Sequence, residues 1–237
     1  MFDIIAFDAD DTLWHNETLF TMTQGRFAEL LEPYHDKEWT LEKLHETEMR
    51  NLRLFGYGIK GFALSMIETA VELSEGRITG AEIQVLLDQA KSMLKAPVEP
   101  LRYVRETLER LHRDFELMVI TKGDLFDQES KLARSHLGDF FSRVEIVSDK
   151  SVETYMDLME RHDIRPERFL MVGNSLKSDI LPVVDIGGHA VYVPYETTWA
   201  HELVDDTSAY AGRFAELEHI GRLPDWIADR IAGISPV

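Results

Sequence analysis

The sequence predicts an α/β protein with a mostly parallel sheet, helices on both faces of the sheet, and an inserted all-helical domain. Two observations lead to this fold class. Short apolar segments alternate with segments of helical periodicity, an order typical of parallel sheets that are covered by helices. Between residues 15 and 96 this alternation stops, and only helical patterns are found.

Three segments are predicted to be buried strands because each is short, apolar or β-branched, and ends in a polar or glycine-containing cluster. They are residues 4–7, 117–121 and 169–172. The clusters that follow them read DADDT, TKGD and GNSLKSD. Residues 144–147 and 190–193 are further candidates. Uninterrupted apolar runs of this kind are typical of strands that are covered on both faces.

The region without strands is predicted to hold four helices, at residues 17–32, 41–53, 61–75 and 80–95. Thr40 is expected to cap the second helix. Thr79 is expected to cap the fourth, because Glu82 follows three residues later as a capping box requires. We therefore predict a core domain formed by residues 1–14 and 97–237, and a helical domain formed by residues 15–96.

Composition excludes several classes of function. The chain has 237 residues, 44% of them hydrophobic, and a net charge of −18, which disfavours nucleic acid as a partner. It has no cysteine, so disulfide scaffolds, thiolate nucleophiles and cysteine zinc sites are excluded. It shows neither a membrane-spanning apolar run nor a recognisable targeting signal, and we expect a cytoplasmic protein without a membrane partner.

The strongest motif follows the first strand and contains Asp8, Asp10 and Thr12. In open α/β sheets, ligands bind beyond the carboxyl ends of the strands, where these carboxylates would project. Crowded carboxylates require a cation, and oxygen ligands favour Mg²⁺. The alternative is a capped turn, in which Asp and Thr are common.

Three further motifs follow the later strands, and each has an ordinary structural alternative. Thr121-Lys122-Gly123-Asp124 offers a hydroxyl and a glycine amide to a phosphate, or forms a simple strand-to-helix turn. Lys150 offers a positive charge, although a lone lysine is usually solvated. Asn174 and Asp179 add an amide oxygen and a carboxylate, or mark the start of a helix.

Taken in order, these motifs resemble those of the haloacid dehalogenase-like superfamily of hydrolases, and the resemblance covers nearly the whole chain. It implies a Rossmann-like core, a helical cap at residues 15–96, and a Mg²⁺-dependent phosphatase acting on a small phosphorylated metabolite. Asp8 would be the nucleophile and Asp10 the general acid and base. Thr121 and Lys150 would bind the phosphoryl group.

The same resemblance implies the metal ligands Asp8, Asp10 through its backbone carbonyl, Asn174 and Asp179. Asn174 departs from the family pattern, which has an acid there, and this would lower the charge around the metal. Substrate contacts are expected from Thr12, Lys122 and Gly123, and from two residues of a loop between cap helices, Tyr57 and Lys60.

Three alternative functions remain open from the sequence. A haloacid dehalogenase would use the same first aspartate, but this class does not usually carry an acid at the position of Asp10. A phosphomutase would keep that acid. A non-catalytic binding protein of the same fold would have no reason to retain Asp8, Asp10 and Lys150 together.

Overall fold

The computed structural model describes residues 2–196, 199, 202, 204 and 206–233. The chain forms two compact units. The core unit comprises Met1–Glu17, Val98–Thr121 and Lys131–Val237, and the helical unit comprises Thr18–Pro97 and Lys122–Ser130. The helical unit thus contains two separate stretches of chain, the second of which lies beyond the boundary that the sequence predicts.

The core unit is built on a sheet whose described strands have the order β3-β2-β1-β4-β5-β6. Strand β1 pairs in parallel with β2 and β4, β4 with β5, and β5 with β6. This confirms the predicted fold class. The strands are β1 Ile4–Phe7, β2 Glu116–Lys122, β3 Arg143–Val147, β4 Phe169–Gly173, β5 His189–Tyr192 and β6 Ala215–Glu216.

Both faces of the sheet are covered, as the uninterrupted apolar strands predict. Side chains alternate between the two faces along a strand. In β1, Ile5 and Phe7 belong to one apolar layer, whereas Ile4 and Ala6 belong to the other. The helices that follow the insertion are α5 Val104–Leu111, α6 Leu125–Ser135, α7 Val152–Arg161, α8 Leu181–Asp185 and α9 Leu223–Ile231.

The helical unit has its own apolar core, which includes Phe27, Leu31, Phe62, Met66 and Leu86. Its four long helices are α1 Glu17–Leu31, α2 Lys37–Phe55, α3 Ile59–Leu73 and α4 Gly80–Lys95. All described residues from 15 to 96 are free of strand, as predicted.

Two helix starts test the capping predictions. The Thr79–Glu82 capping box is present at the start of α4, as predicted. The prediction that Thr40 caps the second helix is wrong. Helix α2 begins earlier, because the Asp36 side chain accepts a hydrogen bond from the Trp39 amide at 2.9 Å. Thr40 lies inside the helix and is fully buried.

Candidate active site

The first strand and its two neighbours bring the polar motifs to one edge of the sheet. Phe7 is in register with Val119 of β2 and Val172 of β4, and the Asp8 amide donates to the Val172 carbonyl at 2.9 Å. Residues just after these three strands therefore lie at the same carboxyl edge. Asp8 and Asn174 directly follow β1 and β4, and Thr121 is the next-to-last residue of β2; Asp8 and Thr121 are buried.

Lys150 joins two carboxylates beneath this edge. Its Nζ donates to Asp8 Oδ1, and to Asp179 Oδ1 at 2.6 Å. Its side chain is 1% exposed. A buried ammonium is stable only when paired, and here it lies between two acids. The sequence alternative of a solvated lysine does not describe Lys150.

Burial and charge act in opposite directions on these groups. Burial raises the pKa of Asp8 to about 7, although the charge of Lys150 opposes the shift. Burial alone would lower the pKa of Lys150, but the charges of Asp179 and Asp8 outweigh it and raise that pKa. Lys150 is therefore a fixed positive charge, and a further cation beside Asp8 would favour its ionised, nucleophilic form.

Three oxygen-bearing groups meet in front of Asp8. Thr12 Oγ1 lies 3.1 Å from the Asn174 side-chain oxygen and 3.4 Å from Asp8 Oδ2. If the Asn174 amide is turned so that its nitrogen faces inward, that nitrogen lies 3.2 Å from both Asp8 Oδ2 and the Asp10 carbonyl oxygen and donates to each. With its oxygen inward, the Asn174 side chain would offer a third acceptor beside Asp8 Oδ2 and the Asp10 carbonyl, a set that a bound cation would satisfy.

This set of oxygens fits Mg²⁺. Ligands at about 2.1 Å in an octahedral shell lie about 3 Å from one another. The spacing around Asn174 is close to that value. Within the described part of the chain, no cluster of three or more His, Cys, Asp or Glu side chains is arranged for a metal. The fit rests instead on one carboxylate, one amide and one backbone carbonyl.

Asp179 has a different position from the one expected of a metal ligand. Its Oδ1 accepts from Lys150 and its Oδ2 accepts from the Ser175 amide at 3.0 Å. Gly173 makes room for it, because a side chain there would overlap the Asp179 carboxylate. Asp179 is therefore a partner of Lys150 in this structure, and its predicted role as a ligand stays a prediction.

The Asp10 carboxylate is held by residues outside the predicted set. Lys131 Nζ donates to both Asp10 oxygens at 2.9 Å and to Asn16 Oδ1 at 2.9 Å. The indole nitrogen of Trp14 donates to Asp10 Oδ1 at 2.7 Å. The backbone carbonyl of Asp10 faces Asn174, so the two polar groups of this residue serve different parts of the site.

The remaining predicted residues belong to the helical unit. There, Lys122 Nζ lies 4.3 Å from the centre of the Tyr57 ring, a cation–π distance. Lys60 Nζ donates to both oxygens of Asp124 at 2.9 Å. The role of these residues as substrate contacts stays a prediction.

The turn after β2 is held by hydrogen bonds from residues of the helical unit. Gln128 donates to the Lys122 carbonyl at 3.0 Å. Gly123 has a φ of 140°, and a side chain at Gly123 would meet Gln128 Nε2 at 2.9 Å. The Asp127 amide donates to Asp124 at 3.1 Å, so Asp124 also serves as the helix cap of the structural alternative.

Lys131 was missed from the sequence because it lies in the middle of α6, far along the chain from Asp10. The feature that could have revealed Lys131 is the distribution of polar and apolar residues around α6. Its buried side chains are polar, namely Asp127, Gln128, Lys131 and Ser135. Leu125 and Phe126 are 60% and 73% exposed. An amphipathic interpretation predicts the opposite orientation.

Comparison with known proteins assigns the chain to a family. The model of the haloacid dehalogenase-like hydrolases matches residues 2–187, and the chain belongs to this family of hydrolases. The crystal structure of a haloacid dehalogenase-like family hydrolase from Xanthomonas campestris is 39% identical, with a TM-score of 0.87 over 99% of this chain and 95% of that one.

Two more distant proteins are also similar. A glyceraldehyde 3-phosphate phosphatase from Pyrococcus furiosus is 31% identical over 97 residues, which are 38% of this chain and only 40% of that protein. A HAD hydrolase from Bacillus subtilis, described as bound to magnesium, has a TM-score of 0.64 over 95% of this chain and 98% of that one. At 14% identity, the latter shows the Rossmann-like fold alone.

Proposed function

We propose that this hydrolase is a Mg²⁺-dependent phosphatase that cleaves the phosphate monoester of a small metabolite through an aspartyl-phosphate. The arrangement of Asp8, Lys150 and Asp10 carries the proposal. Asp8 offers an oxygen on the Asn174 side of its carboxylate, while Lys150 binds the other oxygen. The similarity of part of the chain to a phosphatase acting on a phosphorylated triose supports the same reaction class.

In the first step, an oxygen of the Asp8 carboxylate attacks the phosphorus atom, and the bond from phosphorus to the substrate's leaving oxygen breaks. Asp10 in its protonated form gives its proton to that oxygen. In the second step, Asp10 takes a proton from water, which attacks phosphorus and releases phosphate and Asp8. Lys150 lowers the charge beside the nucleophile, and Thr121 and Thr12 offer hydroxyl groups at the same edge.

The residues present fit a magnesium ion. Asp8 Oδ2, the Asp10 carbonyl and Asn174 Oδ1 would hold it, with Asp179 nearby through its contact with Lys150. When bound, the ion would supply positive charge that reduces repulsion between the phosphate and Asp8. Asn174 contributes an oxygen without a formal charge, so the set carries less negative charge than one with an acid there.

The first prediction tests the nucleophile. We expect Asp8→Asn to reduce the rate of phosphate release roughly 10⁴-fold or more, because the amide cannot form the covalent intermediate. The measurement is phosphate release from p-nitrophenyl phosphate and from a panel of phosphorylated metabolites with Mg²⁺. Asp157→Asn is the matched control. It replaces the same carboxylate by the same amide, but at an exposed position on α7.

The same panel separates the alternatives. Substantial phosphatase activity in the Asp8→Asn variant would show that Asp8 is not the nucleophile. Halide release from a 2-haloacid would identify a dehalogenase, and isomerisation of a sugar phosphate without phosphate release would identify a mutase. An absence of turnover with binding of phosphorylated ligands would favour the non-catalytic alternative.

Tyr57 and Lys60 remain our proposed contacts to the part of the substrate beyond the phosphate. Lys60 is engaged with Asp124, so its charge is partly neutralised. A net-neutral pair presents hydrogen-bonding groups rather than an anion-binding charge, and this favours a polar substrate body over a second phosphate.

A further inference from the structure

Lys131 is the one buried lysine besides Lys150 among the described residues, and the mechanism above does not use it. It belongs to the core unit, as do Asp10, Trp14 and Asn16. Its ammonium group donates to both Asp10 oxygens and to Asn16 Oδ1, each at 2.9 Å. These hydrogen bonds fix the ammonium in one place.

The Asp10 carboxylate is therefore bound in an oriented way. Lys131 binds both oxygens, and Trp14 binds one of them from a side chain that is 1% exposed. Because the indole is packed in the apolar core, it cannot follow a carboxylate that rotates. The side chain of Asp10 is still 22% exposed, so a substrate can reach it.

A purely structural purpose explains this ion pair poorly. Replacing a buried ion pair by apolar groups is often neutral or stabilising, so a stable helix face does not require one. Helix α6 nevertheless turns polar residues inward and leaves Leu125 and Phe126 exposed. This orientation places the Lys131 donor on Asp10.

We propose that Lys131 is a positioning residue that holds Asp10 in the orientation for proton transfer to the leaving oxygen. This inference rests on the proposed phosphatase function. A misplacement of about 1 Å in a reacting group can cost on the order of 10²-fold in rate. In kcat/KM, the loss should be confined to substrates whose leaving oxygen needs a proton from Asp10, which is a signature that general destabilisation would not produce.

The test uses Lys131→Met, Lys131→Arg, Asp10→Asn and the double variant Asp10→Asn/Lys131→Met. Two substrates are compared: p-nitrophenyl phosphate, whose leaving group needs little protonation, and the alkyl phosphate that the wild type hydrolyses fastest. Lys91→Met is the matched control, because Lys91 is an exposed lysine of α4 that is also paired with an aspartate. Thermal unfolding of each variant is measured in parallel.

We expect Lys131→Met to lower kcat/KM for the alkyl phosphate about 10- to 10²-fold and kcat/KM for p-nitrophenyl phosphate less than about 3-fold, because kcat/KM reports only the steps up to departure of the leaving group. Lys131→Arg should restore part of the loss. The double variant should be within about 3-fold of Asp10→Asn, because a positioning residue has no effect once its target is lost.

Equal losses on both substrates, or losses that multiply in the double variant, would overturn the inference and leave the phosphatase proposal intact. A Lys131→Met variant with wild-type kinetics on both substrates would also overturn the inference and leave the phosphatase proposal intact. A wild type that hydrolyses no phosphate ester would overturn both. If Lys131→Met unfolds, the comparison of Lys131→Arg with Lys131→Arg/Asp10→Asn decides by the same criteria.

Discussion

Asp11 has a left-handed backbone conformation, with a φ of 63°, directly after Asp10. This conformation is unfavourable for most residues, and aspartate tolerates it better than most. The Asp11 carboxylate accepts from the amide of Asn16 at 2.8 Å and from the amide of Glu17 at 3.0 Å. One residue thus sets the turn after the candidate catalytic residues Asp8 and Asp10 and caps the start of α1.

We expect Asp11→Ala to lower the free energy of unfolding by about 1–3 kcal/mol, because alanine loses the cap and is disfavoured at positive φ. Asp11→Gly should cost less than Asp11→Ala, since glycine accepts the backbone conformation. Urea denaturation of the three proteins measures this order. An alanine variant as stable as the wild type would show that neither the cap nor the conformation matters.

Glu48 is a second residue whose effect on folding stability can be tested. Burial within the helical unit raises its pKa to about 7. The folded state therefore holds this proton more tightly than the unfolded state, and stability is lost as the pH rises from about 4.5 to 7.

We expect Glu48→Gln to be more stable than the wild type at pH 8, because it removes a carboxylate that folding must desolvate. The difference in unfolding free energy between Glu48→Gln and the wild type should grow by about 1–2 kcal/mol between pH 5 and pH 8, after allowance for the partial exposure of the side chain. Denaturation at the two pH values measures the difference. An advantage that is constant with pH would exclude titration of Glu48 as its cause.

Among the elements, α4 begins with the clearest local signal in the chain. The Thr79 amide donates to the Glu82 carboxylate at 2.7 Å, and the Glu82 amide donates to Thr79 Oγ1 at 3.3 Å. We expect Thr79→Ala to cost about 1 kcal/mol of unfolding free energy. Thr18→Ala, at an exposed position in α1, is the control and should change stability by less than about 0.5 kcal/mol. Equal effects would contradict the capping role.

The elements also show what a sequence can predict and what it cannot. Strand β1 and the start of α4 depend on contiguous residues, and both were predicted correctly at the boundaries. The prediction starts α2 too late because it assigns the cap to Thr40, whereas Asp36 caps the helix and Thr40 is buried inside it. The short strand β6 depends on its neighbour β5 rather than on a long apolar run.

The candidate site shows the same division. Asp8, Lys150 and Asn174 follow strands, so the topology of a parallel sheet brings them to one edge. Lys131 follows no strand, and its position depends on which face of α6 turns inward. Here Lys131 is buried although Leu132 beside it also packs against the apolar core, so its burial cannot be deduced from periodicity alone.

For the whole molecule, charge makes a cation necessary to the proposed reaction. The net charge is −18, and Asp8 and Asp179 share a single lysine. We expect EDTA to abolish phosphatase activity, Mg²⁺ to restore it, and Ca²⁺ to restore it poorly, because its coordination shell is larger and looser. Full activity in excess chelator would contradict the metal assignment.

Among the described residues, no helix is both long and apolar enough to cross a membrane.

Calorimetry tests the ligands independently of activity. We expect Asn174→Asp to bind Mg²⁺ on the order of 10-fold more tightly, because it adds a formal charge to the oxygen set. Asp179→Asn should weaken binding, and Asp157→Asn should leave it unchanged. Unaltered affinity in the first two variants would remove residues 174 and 179 from the metal site.

The place of β1 at the centre of the sheet has a consequence for synthesis of the chain. This strand is synthesised before the other described strands, yet its two partners begin at Glu116 and Phe169. Closing such long loops is entropically costly and slows folding. Helices α1 to α4 are local in sequence and emerge in between, so the nascent chain carries an unpaired apolar strand of four residues beside a segment that can already become helical. During that interval, β1 is the part of the chain most exposed to aggregation and to chaperones.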